Sequence, residues 1–553
     1  MAALIQRIHP NDNAIVALQP LKAGQRVVLG EHSWMLTEDI AAKHKFAAHD
    51  FSDGDRVTMY GVTVGRVRGP VRAGAWLSTA NLEHATDAFT AQSGGWVWTA
   101  PDASAWKART FAGYRRSDGR SGTANLWLVV PLVFCENRNI AVMQNALNRA
   151  LGYHRHSPYE SFARELVERW KGSGKVEALD QVRLSVGGGA GGGEFAPLFP
   201  GVGGIKFLQH TFGCGGTRQD SDALCRLIAG YINHPNVAGA TVLSLGCQHS
   251  QIAILERELA ALNGSFDKPL GFFEQQKSES EGVLLEKAMR FTFAGVAGAD
   301  RHRREPCPIS DLVVGVKCGG SDGFSGISAN PVVGRLSDLL CASGGASVLS
   351  EFPELCGVES ELCRRCETPE LAERFARWMG EYGAQAQACG SGFDMNPSPG
   401  NIRDGLITDA IKSAGAATKG GTAPVVDVVD YAAPIRRKGG VSLLYAPGND
   451  VECTTAMAGS GCNLILFTTG LGTPTGNPVC PVMKIATNTQ LAERMSDIID
   501  FDCGPVIRGE QTLEGMAEGL LELSLRVASG EVQPKAVSLG QDDFIPWKRG
   551  VSL

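Results

Sequence analysis

The chain predicts an α/β protein with a small all-β domain in front, and three observations carry that prediction. The first ninety or so residues alternate short β patterns with turn signals, as in "NAIVAL", "QRVVLG", "HSWMLT" and "DRVTMYGVTVGRVRG". From about residue 110, apolar strand-like runs alternate with amphipathic stretches: "LWLVVPLVF" then "NIAVMQNALNRAL", "ATVLSLGC" then "IAILERELAAL", "KPLGFFE" then "VLLEKAMRFTFAGV". That alternation is the mark of β-α units forming a mostly parallel sheet. Finally, 43% hydrophobic and 20% charged residues exclude a disordered chain, and 68 glycines point to many tight loops.

At 553 residues the length suggests roughly three or four domains at ~150 residues each. Residues 1–90 read as the β domain. Residues 91–108 read as a linker, part of the Trp-rich "FTAQSGGWVWTAPDASAWKAR" (Phe89–Arg109), which has no clear period and docks by its aromatics. Residues 109–308 and 309–553 read as two further domains of β-α units. The stretch "GGGAGGGEFAPLFPG", Gly187–Gly201, interrupts the pattern as an exposed flexible insertion. A formal charge of −6 offers no electrostatic case for nucleic acid or an anionic membrane. No apolar signal core opens the chain and no window reaches 18 unbroken apolar residues, so the expectation is a cytoplasmic protein. Fifteen cysteines without a short disulfide framework agree with a reducing compartment.

Chemistry concentrates at strand ends. "VGVKCGGSDGFSGISANP", Val314–Pro331, places Cys318 at the end of a buried strand and follows it with Gly319, Gly320, Ser321, Asp322, Ser325 and Asn330. Ligands bind at that position in open α/β sheets, where glycines let backbone N–H groups approach an anion. The run fits neither a dinucleotide fingerprint nor a P-loop. Cys135, Cys214 and Cys247 recur in the same setting, beside glycine or a polar group after an apolar run, so four thiols are expected to converge on one crevice. His210 stands four residues before Cys214 and His249 two after Cys247, spacings that can serve Fe(II), Mn(II) or Zn(II). The single C-x-x-C, Cys363 and Cys366, lacks a second half and reads as fortuitous. Carboxylates cluster at Glu351, Glu354 and Glu359, at Asp394 beside Asn396, and at Asp450 and Glu452. "FTTGLGTPTGNP" presents hydroxyls and backbone donors, including Thr473 and Asn477, while Lys412, Lys419 and Lys484 offer cations beside the Gly-rich segments.

The combination of "GYRRSDGRSGTAN", "HTFGCGGTRQD", "GCQHSQ", "KCGGSDGFSGISANP", "NPSPGN", "KGG" and "TPTGNPVCPVMKIATN" resembles the altronate and galactarate dehydratase family, in order and over nearly the whole chain. The resemblance implies an N-terminal SAF, or β-clip, domain, a second domain forming a homodimer, and a C-terminal Rossmann-like variant with a site for Fe(II) or Mn(II). It also implies dehydration of a sugar acid, altronate first and an aldarate second, to a 2-keto-3-deoxy acid. In the SAF segment "AWLSTANLEHAT" this chain has Ser78 and Ala80 where the family carries two histidines, leaving His84 to substitute. The catalytic candidates are then His210, Glu351, Glu359 and Asp322, and the metal candidates Cys214, Cys247, Cys318 and His210. Gly319, Gly320, Ser321, Ser325, Asn330, Asn396, Lys412, Thr473 and Asn477 are the substrate-binding candidates. The same scaffold would serve a sulfo-lyase acting on a sulfonated hydroxy acid, and a non-catalytic sugar-acid binder is the third reading.

Overall fold

A computed structural model describes residues 3–154, 157–184 and 196–553. The greater part of the Gly-rich insertion, residues 187–195, lies outside them. Among the described residues no helix is long and apolar enough to cross a membrane.

The N-terminal region is all antiparallel β. Four strands, Ile5–Gln6, Ala14–Ala17, Lys45–Ala47 and Trp76–Leu77, form one sheet; a hairpin and a three-stranded sheet complete it. Ile15, Val27, Trp34 and Phe46 close one apolar cluster within the domain. The other cluster is not self-contained. Val57, Val64 and Leu82 pack with Phe324, Ile327, Leu406 and Ile411 of the C-terminal domain. Residues more than 200 positions downstream thus complete one of the β domain's two apolar clusters. Lys45, fully buried, donates to the Gly405 carbonyl at 2.6 Å, and Lys43 bridges Asp322 at 3.0 Å and Asp404 at 2.8 Å. In the Trp-rich segment, Trp96 Nε1 donates to the Thr422 carbonyl at 2.9 Å.

The second domain is built on four parallel strands: β1 (Leu126–Pro131), β2 (Ile205–Phe207), β3 (Val237–Ser244) and β4 (Leu270–Glu274), in the order β2-β1-β3-β4. β1 and β3 are buried along their whole lengths, which is why they read as unbroken apolar runs rather than alternating ones. The C-terminal domain carries seven parallel strands: β5 (Val313–Cys318), β6 (Ala346–Leu349), β7 (Val425–Val429), β8 (Val441–Leu444), β9 (Leu464–Thr469), β10 (Val482–Ala486) and β11 (Phe501–Asp502). Their order is β7-β8-β6-β5-β9-β10-β11. The chain leaves β5 toward β6 on one side and returns with β9 on the other. The carboxyl ends of β5 and β9 therefore flank a topological switch point, the crevice where open α/β sheets bind ligands. The two domains join where the helices Arg218–Asn233 and Asp450–Gly459 cross: a Cβ on Gly230 would lie 2.1 Å from the Gly459 carbonyl oxygen.

Candidate active site

At the switch point the last two residues of β5 point chemistry into a buried knot. Lys317 and Cys318 are fully buried. Lys317 Nζ contacts Glu351 Oε1, bonds Asp450 Oδ1 at 2.7 Å and donates to the Cys318 carbonyl. Glu351 stands two residues beyond the end of β6, and its backbone sits at φ +70°, a conformation a side-chain-bearing residue rarely adopts. Such strain persists where the surroundings over-determine it, and functional sites are where it clusters. Three residues on, Glu354 Oε1 pairs with Lys412 at 2.8 Å and Glu354 Oε2 accepts from the Cys318 thiol at 3.2 Å. Lys419 donates to Cys318 Sγ at 2.8 Å and lies 3.6 Å from Glu351 Oε2. Lys412 also donates to Asn396 Oδ1 at 2.7 Å, which links the knot to the half-buried "NPSPGN" turn. Gly319 is required by this packing: a Cβ there would lie 2.5 Å from the Asp450 carboxylate, which could then no longer reach Lys317.

The electrostatics separate two neighbouring carboxylates. Burial, then Glu354, holds Glu351 above the ordinary carboxylate range despite Lys317 and Lys419. Burial also acts against ionised Glu354, but Lys412, Lys317 and Lys419 override it and leave Glu354 below that range. Burial opposes the charge of Lys317, which Asp450 and Glu351 restore. Burial and Glu354 push the Cys318 thiol up to about 12, so it stays protonated and donates. Two carboxylates driven in opposite directions within one cluster are the usual sign of divided acid and base roles.

Next to the knot, His84 of the β domain, Cys356 and Asp409 bring donor atoms within 4.8 Å of one another. Burial, then Glu354, holds the Asp409 carboxyl well above its ordinary range, so it keeps its proton. Burial lowers His84, whose Nδ1 is buried without a partner. The β domain thus brings an imidazole to the edge of the cluster.

Cys318, Glu351 and Glu354 also gather within 4.8 Å and combine a sulfur with carboxylate oxygens, a mixture open to Fe(II) or Mn(II) by ligand type. The residues present nonetheless do not fit a dication at this point. Every oxygen of the two glutamates already bonds a lysine, the Cys318 thiol or the Cys318 N–H, and an incoming ion would meet the ammonium groups of Lys317, Lys412 and Lys419.

Several expected site residues are placed elsewhere. His210 has both ring nitrogens engaged, Nε2 with the Pro131 carbonyl at 2.8 Å and Nδ1 with the Phe212 N–H at 3.1 Å, and burial pushes it down to about 4. It is a neutral structural histidine, with no lone pair free for a metal or a proton. The expected convergence of four thiols is corrected likewise: Cys214 and Cys247 lie exposed at the second domain's sheet edge, and Cys318 is buried in the C-terminal domain. Asp322 is saturated by Lys43, Ser325, Phe324 N–H and Thr487, so it anchors the β domain to the Gly-rich loop. Ser325 is consumed by that same bond. Asn330 is spent on the Gly415 carbonyl and Thr468, and Asn477 on Tyr231 and the Val479 and Cys480 N–H groups. The Gly319 N–H bonds the Thr468 carbonyl, and the Gly320 carbonyl accepts from Gly470 and Leu471. Ser321 Oγ is buried without a partner. Thr473, half-buried, has its Oγ1 2.8 Å from where a Cβ on Gly320 would stand. Glu359 caps its own turn through the Gly357 N–H at 2.7 Å, and burial pushes it up to about 7. Lys317 and Asp409 escaped the sequence reading. For Lys317 a signal was present, since a lysine inside the apolar strand "VVGVKC" has no bland reason to be there.

A doubly wound α/β scaffold thus places a buried lysine–carboxylate cluster at its switch point, where open α/β sheets bind ligands. Three family models match in chain order: the altronate/galactarate dehydratase SAF domain over residues 3–85, the D-galactarate dehydratase/altronate hydrolase second domain over 113–300, and the D-galactarate/altronate dehydratase C-terminal domain over 309–552. The altronate dehydratase of Bacillus subtilis is 32% identical over 99% of both chains, and that of Escherichia coli 32% identical over 94% of both. The (2R)-sulfolactate sulfo-lyase subunit beta of Chromohalobacter salexigens is 29% identical over 79% of this chain and 97% of its own. The chain belongs to the altronate/galactarate dehydratase family and is a hydro-lyase acting on a sugar acid.

Proposed function

We propose that the enzyme dehydrates an aldonate of the altronate type to the 2-keto-3-deoxy acid, using the knot around Glu351 as its acid–base centre. The observation that carries this reading is the opposite displacement of Glu351 and Glu354 among three buried lysines. Removing the proton α to a carboxylate needs a base and a cationic environment for the enediolate that forms. Lys412 and Lys419 supply the cations, and Glu354, held ionised, fixes Lys412 in place. Glu351, raised toward neutrality, takes the C2 proton. Asp409 keeps a proton and gives it to the departing C3 hydroxyl, which leaves as water. The resulting enol tautomerises to the ketone.

Altronate is the first substrate because two relatives that are 32% identical over 94% or more of this chain carry that name. The likeness to a sulfo-lyase subunit supports a second reading, elimination of sulfite from a sulfonated hydroxy acid. Incubation with altronate, galactarate and sulfolactate, scored for 2-keto acid against sulfite, tests both. Keto acid from altronate without sulfite release is expected, and sulfite as the main product overturns the proposal. The assembly we propose is a homodimer through residues 109–308, where, among the described residues, Phe134, Tyr159, Trp170 and Phe293 stand exposed. A single-chain mass in sedimentation equilibrium overturns it.

A further inference from the structure

All fifteen cysteines are free, and four are exposed: Cys135, Cys214, Cys247 and Cys389. Three of those four meet at the carboxyl edge of the second domain's sheet, each on a different loop. Cys135 follows β1, Cys214 follows β2 and Cys247 follows β3. The loops are tied together by backbone bonds beside each thiol. Phe134 N donates to the Phe212 carbonyl at 3.0 Å, while His249 N and Ser250 N donate to the Gly213 carbonyl at 2.9 and 3.2 Å. Gly213 allows the approach: its φ is +102°, and a Cβ there would lie 2.2 Å from the Leu132 carbonyl oxygen. Gln276 Nε2 donates to Cys247 Sγ at 3.2 Å, and the His249 Nδ1 is buried without a partner.

We propose that Cys135, Cys214 and Cys247 hold an iron–sulfur cluster of the [4Fe–4S] type, with its fourth iron left to a non-thiolate ligand. Three thiols converging from separate, cross-braced loops cannot be satisfied by one disulfide. A single tetrahedral ion, with metal–sulfur bonds of about 2.3 Å, draws its thiolates to about 3.8 Å from one another. Among the described residues the groups gathered within 4.8 Å are Cys318–Glu351–Glu354 and His84–Cys356–Asp409, and the exposed trio is more widely set than either. A cubane cluster demands that wider spacing, because each thiolate binds its own iron, and a hydrogen bond to a ligand sulfur, as from Gln276, is one of the means by which proteins tune such clusters.

The test is anaerobic reconstitution of the full chain with Fe(III), sulfide and a thiol reductant that supplies the electrons for the mixed-valence core, followed by desalting and by iron, sulfide and optical measurement. About four irons and about four sulfides per chain are expected, with a broad visible charge-transfer band. Cys135→Ser, Cys214→Ser and Cys247→Ser should each lose most of the bound iron and the band, whereas Cys318→Ser and Cys389→Ser should keep both. Alkylation of the wild-type chain, mapped by mass spectrometry, gives a readout that needs no variant: loading should shield these three thiols and leave Cys389 reactive. One iron without sulfide, iron retained by the triple serine variant, or unchanged alkylation after loading overturns the proposal.

Discussion

The molecule contains two clusters of reactive groups at equivalent places, the carboxyl ends of two parallel sheets, and they are built in opposite ways. The knot around Lys317, Cys318, Glu351 and Glu354 is buried and mutually paired, each charge answered by another. The trio of Cys135, Cys214 and Cys247 is exposed, and the Gln276 amide donates to the Cys247 sulfur. A buried charge cluster must be complete in itself, because desolvation makes any unpaired member costly. A set of soft donors at the surface can wait for a ligand from outside. The comparison teaches that a cysteine at a strand end says little by itself: Cys318 is a protonated hydrogen-bond donor inside a salt-bridge network, whereas Cys214 stands exposed on a loop.

The largest expected effect falls on the knot. Glu351→Gln keeps the shape and leaves Lys317 paired with Asp450, so the fold should hold while kcat/KM falls by ~10²–10⁴-fold, as for loss of an acid–base group. Activity within a factor of a few of wild type would remove Glu351 as the base. The pH profile sharpens the same point. Because Glu351 is raised and must be ionised to act, the acid limb of kcat/KM should lie above the ordinary carboxylate range. A limb at or below pH 4 would contradict the assignment.

Next comes stability. Lys317→Met leaves Glu351 buried without its closest cation and should cost about 3–5 kcal/mol, read from denaturant midpoints. Adding Glu351→Met should recover much of that loss, and a double variant as unstable as the single one would show that the pair is not the coupled unit described. Cys318→Ser then separates the two clusters. It should reduce kcat/KM by about 10-fold or more through the weaker link between Lys419 and Glu354, and lower the melting temperature little. Full activity would place Cys318 outside the chemistry.

The smallest effect concerns Glu359, outside both clusters. Its folded value is raised to about 7, so the folded state binds its proton more tightly than the unfolded chain. The sign follows: that contribution is fully present below the ordinary glutamate value and is lost as pH rises through about 7. Wild-type stability should therefore fall by about 1–3 kcal/mol between pH 5 and pH 8, and Glu359→Gln should flatten that slope. A slope unchanged in the variant would assign the pH dependence to other groups.

Much of this molecule was legible in its residues. The β patterns before residue 90, the apolar runs of β1, β3 and β5, and the Gly-rich loop after Cys318 each follow from local rules, because period and turn chemistry act over a few neighbours. Glu351 stood out as a carboxylate after a strand, and Lys412 and Lys419 as cations beside glycine. What stayed hidden depends on which strand ends share an edge. The cysteines after β1, β2 and β3 look like Cys318 in sequence, yet they belong to another sheet, and no local pattern states that. His210 looked like a base because its two hydrogen-bond partners, Pro131 and Phe212, are supplied by the fold. Asp322 looked catalytic because Lys43, its partner, lies 279 residues earlier. Residue type and period determined the elements and their loops. Only tertiary structure decided which charges are paired, which thiols meet and which carboxylate keeps its proton, since pairing and desolvation depend on neighbours that the chain brings together from far apart.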